Sequence, residues 1–386
     1  MNSAKGHVPA LDGLRGIAIL LVIPHNGDLF SGVTGWLWPV AMLVHAGWTG
    51  VQLFFVLSGY LITGGLLDTL GTSNYYRVFY ARRALRIFPL YFLVLLVFLV
   101  LLPMLVPLGA EVLSTYHHQI WLWLFLSNWT QPFQGTVYWF SHFWSLAVEE
   151  QFYLVWPLAI ALVSRRHLPV LCAAVVVMAI ACRLFLLHLN ADPKVAYMIT
   201  TARMDALALG ALAALLARSP TFTAFVHRQG MALLGVALIL LAATGIATHE
   251  FETTRPAMIS VGYTTLAAAA ALIMVVAGEP GAGPAWLRRL LSADWLRSVG
   301  RYSYAMYIFH MLLLLTLGDA VHRLLLPIGA LFPVLYALVI VLLSYAAGWL
   351  SYHGFEKHFL RLKRHFVARC DPSHTSSGTG QPIIRD

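Results

Sequence analysis

The stretch "SHFWSLAVEEQFYLVWPL", residues 141–158, is apolar and aromatic over a length that could cross much of a membrane. Two adjacent carboxylates, Glu149 and Glu150, lie inside it. An ionised carboxylate at mid-bilayer depth costs roughly 2.5–3.5 kcal/mol on insertion scales, so such residues face a partner or a polar cavity rather than lipid. The stretch therefore predicts a membrane protein whose helices surround a polar centre.

The composition of the whole chain agrees with this prediction. Of its 386 residues, 60% are hydrophobic and only 11% are charged, whereas a soluble domain has about 25% charged residues. The apolar residues form runs of about 20, the length that spans a bilayer as a helix. The first run starts at Leu11, behind only Lys5, and lacks a small-residue cleavage site. It predicts a first spanning helix rather than a signal peptide.

Ten apolar segments are predicted to span the membrane, at 11–30, 47–67, 86–106, 143–163, 168–188, 203–217, 231–248, 258–277, 301–318 and 330–352. With a cytoplasmic N-terminus, their alternation places most of the 25 Lys and Arg residues on the inner side, as the positive-inside rule requires. We therefore expect an all-α polytopic protein of the cell membrane, with about ten transmembrane helices around a polar central cavity and both termini cytoplasmic. The expected parts are a cytoplasmic segment (1–10), a membrane domain (11–362) and a basic, then disordered tail (363–386).

Several classes of protein and site are disfavoured. The net charge of +9 follows from membrane orientation and contact with anionic lipid, not from nucleic-acid binding. Cys172, Cys182 and Cys370 form neither a disulfide framework nor a metal motif, so we expect neither. The sequence has no internal repeat, which counts against a transporter built from inverted repeats.

Polar residues interrupt the predicted helices in four places, the first of which is "LDGLRGIAILLVIPHN". His25 lies ten residues after Arg15, about 15 Å along a helix and so near mid-membrane. Pro24 can kink the helix beside it. A lone buried histidine can be a hydrogen-bonded packing residue, but an ionisable group inside the membrane is a candidate functional residue, and histidine suits general-base chemistry near neutral pH.

Two further interruptions lie in the next two helices. Gly50, Ser58, Gly59, Gly64 and Gly65 make a small-residue face that permits close helix packing. In "NYYRVFYARRALRIFPLYFL", Arg83 and Arg86 share one helix face, three residues apart. Membrane orientation alone could account for these arginines, but two guanidinium groups on one face also suit forked binding of a phosphate.

The opening stretch is the fourth interruption, and later helices add polar residues to it. On a helix, His142, Glu149 and Tyr153 share one side, whereas Glu150 points about 100° away, so the two carboxylates should have different partners. "RMDALALGALAA" contributes Arg203 and Asp205, and "RYSYAMYIFHMLLL" contributes His310 at a depth similar to that of His25. The aromatic residues of the outer loop at 107–142 suit either an interface belt or a stacking platform for a sugar.

Taken together, these motifs resemble the acyltransferase-3 family of integral membrane O-acyltransferases. The matching stretches are "LDGLRGIAILLVIPH", "GVQLFFVLSGYLIT", "FYARRALRIFPLYFL", "FWSLAVEEQFYLVWPL", "RMDALALGALAA", "YSYAMYIFHMLLL" and "FEKHFLRL", in the family's order from residue 11 to about 362. The sequence departs from the family at Gln52, where many members have Asp, and at His358, where Pro is usual.

The resemblance implies transfer of an acyl group, acetyl or another short one, from cytoplasmic acyl-CoA to a hydroxyl of a glycan, a glycolipid or a small natural product. It implies His25 as the essential histidine and Arg83 with Arg86 as the coenzyme A site; no metal is implied. From its place at the cytoplasmic start of the first helix, we expect Arg15 to join these arginines in holding the phosphates. We expect one of Glu149 and Glu150 to orient a histidine, and the other to pair with Arg203 or Arg183 or to bind acceptor hydroxyls. Supporting roles are expected for Asp12, Ser58, Tyr153, Arg203, Asp205 and His310. The alternatives are a purely structural role for both carboxylates and a proton-coupled transporter or flippase that uses the same residues.

Overall fold

The computed structural model describes residues 8–27, 30, 35–105, 117–134 and 138–369. Its described residues are helical and contain no β-strand, which confirms the predicted all-α class. Numbered in chain order within these residues, the helices are α1 (Pro9–Asn26), α2 (Trp38–His45), α3 (Thr49–Thr69), α4 (Tyr75–Leu96), α5 (Leu102–Leu105), α6 (Ile120–Trp123), α7 (Ser127–Gln134), α8 (Trp144–Leu162), α9 (Leu168–His188), α10 (Pro193–Met198), α11 (Thr200–Leu216), α12 (Pro220–Ala247), α13 (Tyr263–Gly278), α14 (Ala285–Leu291), α15 (Asp294–Leu325), α16 (Phe332–Ser351) and α17 (Lys357–Arg361).

Each of the ten predicted segments overlaps one of the longer helices, although α4 and α12 begin eleven residues before the predicted boundary. Cys370 and the predicted disordered tail from 370 onward lie outside the described residues, as do 1–7 of the N-terminal segment and 106–116 of the outer loop. The apolar window at 118–129 forms parts of the short helices α6 and α7. Its shortness agrees with the prediction that it does not span the membrane.

Within the described ranges, seven helical stretches are long and apolar enough to cross a membrane. They are Gly35–Thr69, Tyr75–Leu105, Leu168–His188, Pro193–Leu216, Pro220–Ala247, Met258–Gly278 and Asp294–His365. The last contains both α15 and α16. Helices α1 and α8 are not among the seven because their charged and other polar residues lower their mean hydropathy. Helix α1, with Asp12 and Arg15, and helix α8, with Glu149 and Glu150, are thus less typical spans by hydropathy.

The outer surface of the helix assembly is apolar, as a lipid-facing surface requires. On α8, Leu154, Val155 and Leu162 are exposed, and on α12 the same holds for Leu238 and Ile246. Monomeric soluble proteins rarely expose apolar patches of this extent. The polar residues singled out above face inward instead.

Close helix packing in the centre depends on two glycines. A methyl group at Gly59 of α3 would overlap the carbonyl group of Leu207 on α11, and one at Gly210 of α11 would overlap the carbonyl group of Val56 on α3. The two backbones therefore touch in both directions, which only residues without a side chain allow. Gly50 packs in the same way on Ala18 of α1. At Gly65, by contrast, added atoms would meet open space.

Candidate active site

A narrow cavity of about 90 Å³ lies where α1, α3, α4, α8 and α15 meet, and we call it the inner cavity. It brings together the predicted site residues Arg15, Ser58, Arg83, Arg86, Glu149 and Tyr153. The other polar residues in its wall are Ser145, Ser303, Tyr304 and Tyr307. Five separate parts of the sequence thus converge on one cavity, whose wall combines these polar groups with apolar side chains of α3, α4 and α8.

Glu149 is the acidic residue of the inner cavity, and two hydroxyl groups hold its carboxylate. Ser58 donates a hydrogen bond to Oε1 at 3.0 Å, and Tyr153 donates one to Oε2 at 2.6 Å. The tyrosine is one turn further along α8, so the helix itself fixes this contact. The guanidinium carbon of Arg83 lies 5.1 Å from the centre of the Tyr153 ring, within cation–π range. Tyr153 therefore links the two charges: its ring contacts the guanidinium group of Arg83, and its hydroxyl group binds the carboxylate of Glu149.

A second, wider cavity of about 240 Å³ adjoins the first, and we call it the basic mouth. Arg15, Arg83 and Arg86 line both cavities. The mouth adds Arg82 and Lys363, and no acidic residue lines it. Asp12 is nearby, with its Oδ1 4.0 Å from Nη1 of Arg15. Such a concentration of guanidinium groups suits a phosphate-bearing ligand.

Glu150 has different surroundings from Glu149, as the helical geometry predicted. It does not line the inner cavity. Its Oε1 is buried and has no hydrogen-bond partner among the described residues. A buried polar atom without a partner is costly, so Glu150 is the less well satisfied carboxylate of the pair.

His25 lies outside the walls of both cavities. Its Nδ1 donates to the carbonyl oxygen of Val44 on α2 at 3.2 Å. The next residue, Asn26, bonds through Nδ2 to Nε2 of His310 at 2.8 Å. The other ring nitrogen of His310, Nδ1, lies 2.7 Å from the carbonyl oxygen of Tyr307. A chain of polar contacts thus leads from the inner-cavity residue Tyr307 to the neighbour of His25.

The partners of His310 determine its tautomer. A carbonyl oxygen can only accept, so Nδ1 carries the proton, and Nε2 is left to accept from the amide of Asn26. Both ring nitrogens are then in use and the imidazole is fully buried. His310 is therefore arranged to hold Asn26 in place beside His25, not to take a proton from a substrate.

Arg203 and Asp205 belong to a separate buried group. The guanidinium carbon of Arg203 lies 4.3 Å from the ring centre of Tyr263 and 5.0 Å from that of Tyr197. Its Nη2 donates to Oε1 of Gln52 at 2.6 Å. Gln52, which stands where many family members have Asp, is thus a neutral hydrogen-bond partner of the arginine.

The expected pairing of a glutamate with Arg203 or Arg183 is wrong. Arg183 instead donates from Nη1 to Oδ2 of Asp205 at 2.9 Å, with both side chains fully buried. Within the described part of the chain, neither arginine is within ion-pair distance of Glu149 or Glu150. The reason lies in helix packing, because Arg183 of α9 meets Asp205 of α11. Arg203 lies instead among aromatic rings, and its Nε and Nη1 are buried without a hydrogen-bond partner among the described residues.

Some residues of the site were not predicted. Ser145 and Tyr307 lie one turn before two predicted residues, Glu149 and His310, and this spacing was the signal that could have found them. Lys363 follows the last predicted span by more than ten residues, and only the three-dimensional path of the chain brings it to the mouth. Two aromatic residues of the outer loop make contacts within the protein. The ring of Trp123 stacks on that of Phe92, and Nε1 of Trp129 donates a hydrogen bond to Oε1 of Gln151.

Comparison with known proteins places the chain in a family. The family described as "Acyltransferase domain" matches residues 8–353. A Bacillus subtilis protein provisionally named as the peptidoglycan O-acetyltransferase YrhL is 30% identical over 91% of this chain and 54% of its own length. The peptidoglycan O-acetyltransferase OatA of Listeria monocytogenes is 28% identical over 80% of this chain and 49% of its own length.

The chain spans about half the length of the curated relatives that it matches. No solved structure matches it. The relatives give no support to the alternative of a transporter or flippase. Because the family match covers nearly the whole described helical assembly, the chain belongs to the acyltransferase-3 family and is a multi-pass membrane protein.

Proposed function

We propose that this protein transfers an acyl group, acetyl in the first place, from acyl-CoA to a hydroxyl group of a cell-surface glycan or glycolipid. The observation that carries the proposal is that the basic mouth and the inner cavity share Arg15, Arg83 and Arg86 in their walls. A phosphorylated donor bound at the mouth can pass a slender arm between the helices. The names of the relatives indicate peptidoglycan as the first acceptor to test.

The proposed topology has ten spans and both termini in the cytoplasm. Seven stretches meet the length and hydropathy of a span, and the last of them holds two long helices. Helices α1 and α8 complete the set, since they are long enough and surround the polar centre with the rest. The basic mouth then opens toward the cytoplasm, where acyl-CoA is found, and residues 11–362 form the membrane domain.

In the proposed mechanism, the phosphates of coenzyme A bind the arginines of the mouth and the thioester lies further into the protein. His25 is about 15 Å from Arg15 along α1, and the acceptor hydroxyl approaches from its side. The imidazole takes the hydroxyl proton as the oxygen attacks the thioester carbonyl carbon. The carbon–sulfur bond breaks, the thiolate takes up a proton, and the ester remains on the acceptor.

The polar chain from Tyr307 through His310 to Asn26 separates the inner cavity from His25 in this structure. Because His25 lines neither cavity, the proposed reaction requires a rearrangement between the inner cavity and His25 when the donor enters. Glu149 faces the cavity already, and we assign it the binding of polar groups of the substrate. Direct transfer is the simpler route, because a covalent acyl intermediate would need the same histidine as well as a nucleophile.

The test is turnover by the purified full chain in detergent or lipid nanodiscs. Acetyl-CoA labelled on the acetyl group is supplied with peptidoglycan fragments, and both released thiol and acetylated product are measured. We expect His25→Ala to abolish transfer and Arg83→Ala to raise the KM for acetyl-CoA. Arg166→Ala, in the exposed loop after α8, is the matched control and should behave as the unaltered protein.

Two results would count against the assignment of roles. If Glu149→Gln abolishes turnover while His25→Ala retains it, the cavity carboxylate is the base and the histidine is a packing residue. If acetyl-CoA is not consumed with any acceptor and Arg83→Ala has no effect on its binding, the mouth is not a coenzyme A site.

A further inference from the structure

The segment 362–369, which we call the C-terminal strap, folds back onto the beginning of α4. Asn74, the residue before α4, binds the strap through both polar atoms of its side-chain amide. Nδ2 of Asn74 donates to the carbonyl oxygen of Val367 at 2.8 Å, and its Oδ1 accepts from the backbone N–H of Arg369 at 3.0 Å. The backbone N–H of Ser73 also donates to the carbonyl oxygen of Arg369, at 3.2 Å.

A further contact ties the strap to the same helix. The guanidinium carbon of Arg77 lies 5.9 Å from the ring centre of Phe366. Asn74 does not use its side chain to cap α4, so its amide is committed to the strap. These contacts hold the strap next to the arginines of α4.

The consequence is a fifth basic side chain in the basic mouth. Lys363 lines it together with Arg15, Arg82, Arg83 and Arg86. Like charges repel one another in a shared cavity, and the lining residues include no carboxylate to offset them. An arrangement of this kind is stable when an anion of multiple charge occupies it.

We propose that the C-terminal strap is part of the donor site and that Lys363 binds a phosphate group of the donor's nucleotide. The lysine adds a mobile point charge to the fixed forks of the arginines. It lies in the mouth and does not line the inner cavity, so it should affect donor binding and not the chemical step. This inference rests on the proposed function for the identity of the donor, but not for the presence of a phosphate site.

The test compares Lys363→Met with Lys357→Met in the full chain. Lys357 lies on α17, before the strap, and does not line the mouth. Binding of coenzyme A and of inorganic pyrophosphate is measured by calorimetry, and turnover of acetyl-CoA is measured in parallel. We expect Lys363→Met to weaken binding of coenzyme A about tenfold, as expected for one hydrogen bond to a charged group. It should raise KM and leave kcat unchanged, while Lys357→Met changes neither.

A second variant tests the strap without removing a charge. Asn74→Ala releases Val367 and Arg369, and it should weaken coenzyme A binding in the same direction as Lys363→Met. Combining the two should add little to either alone, because both act through the position of one ammonium group.

The outcomes separate the two proposals. Unchanged coenzyme A binding in Lys363→Met, while Arg83→Ala loses it, overturns the role of the strap and leaves the proposed function intact. Binding of pyrophosphate that depends on Lys363, without any binding of coenzyme A, supports the phosphate site and refutes the donor. Binding of neither ligand by the unaltered protein refutes both.

Discussion

The buried pair between Arg183 and Asp205 allows a quantitative test of how the helices are held together. Replacement of Arg183 by Met keeps most of the volume and removes the charge. In the unaltered protein, Nη1 of Arg183 lies 2.9 Å from Oδ2 of Asp205, and neither side chain is exposed to solvent. The substitution removes this ion pair. Asp205 keeps only the N–H of Ala206, at 2.9 Å, and the hydroxyl of Thr264.

Removing one partner of a buried pair costs about 3–5 kcal/mol, because the other charge stays buried without compensation. Large domains lose about 2 °C in Tm for each kcal/mol. The expected fall in Tm for Arg183→Met is therefore about 6–10 °C. The double variant Arg183→Met/Asp205→Leu should recover most of this loss, since apolar residues often replace a buried pair without cost.

The assay is thermal unfolding of the purified chain in one detergent. The measured quantity is the fraction of protein that remains monodisperse after heating to each temperature. Arg218→Met is the matched control, because the Arg218–Asp68 pair is much more exposed and should contribute about 0–1 kcal/mol. A loss of less than 2 °C in Arg183→Met would refute the reasoning. So would a double variant whose loss equals the sum of the single losses.

Three other outcomes are expected. Gly59→Ala should lower Tm by about 2–6 °C, since overpacking costs about 1–3 kcal/mol and the new methyl group overlaps Leu207; Gly65→Ala, where there is open space, should not lower it, and equal losses would contradict the packing. Gln52→Leu should destabilise the protein by about 1–3 kcal/mol, because Nη2 of Arg203 loses its partner; an unchanged Tm would show that the amide is dispensable. Tyr153→Phe, measured in the turnover assay, should lower kcat for acetyl-CoA without weakening coenzyme A binding, because it frees one oxygen of Glu149; a change in binding alone would place Tyr153 in the donor site.

Much of the fold could be predicted because lipid imposes simple rules on a spanning helix. Runs of about 20 apolar residues located the long helices, and the helical repeat correctly separated Glu149 from Glu150. The beginning of α4 was missed by eleven residues, since its first turns carry arginines and tyrosines that lower hydropathy without interrupting the helix.

The site was predictable where one helix determines the geometry, and not where several helices meet. The contact between Glu149 and Tyr153 follows from their spacing of four residues. The partners of Arg183 and Arg203 do not, because they depend on which helices pack on α11. Lys363 illustrates the same limit: only the folded path of the strap shows that it faces the arginines of α4.

The mutual glycine contacts of α3 and α11 restrict which parts of this protein can rearrange. With each backbone seated against the carbonyl groups of the other, neither helix can slide along its partner without a steric collision. The inner cavity is lined by α3 of this interlocked pair and by α1, α4, α8 and α15, which lie outside it. The α3 side of the cavity is therefore fixed by backbone contacts, and any change in the shape of the cavity has to come from its other helices.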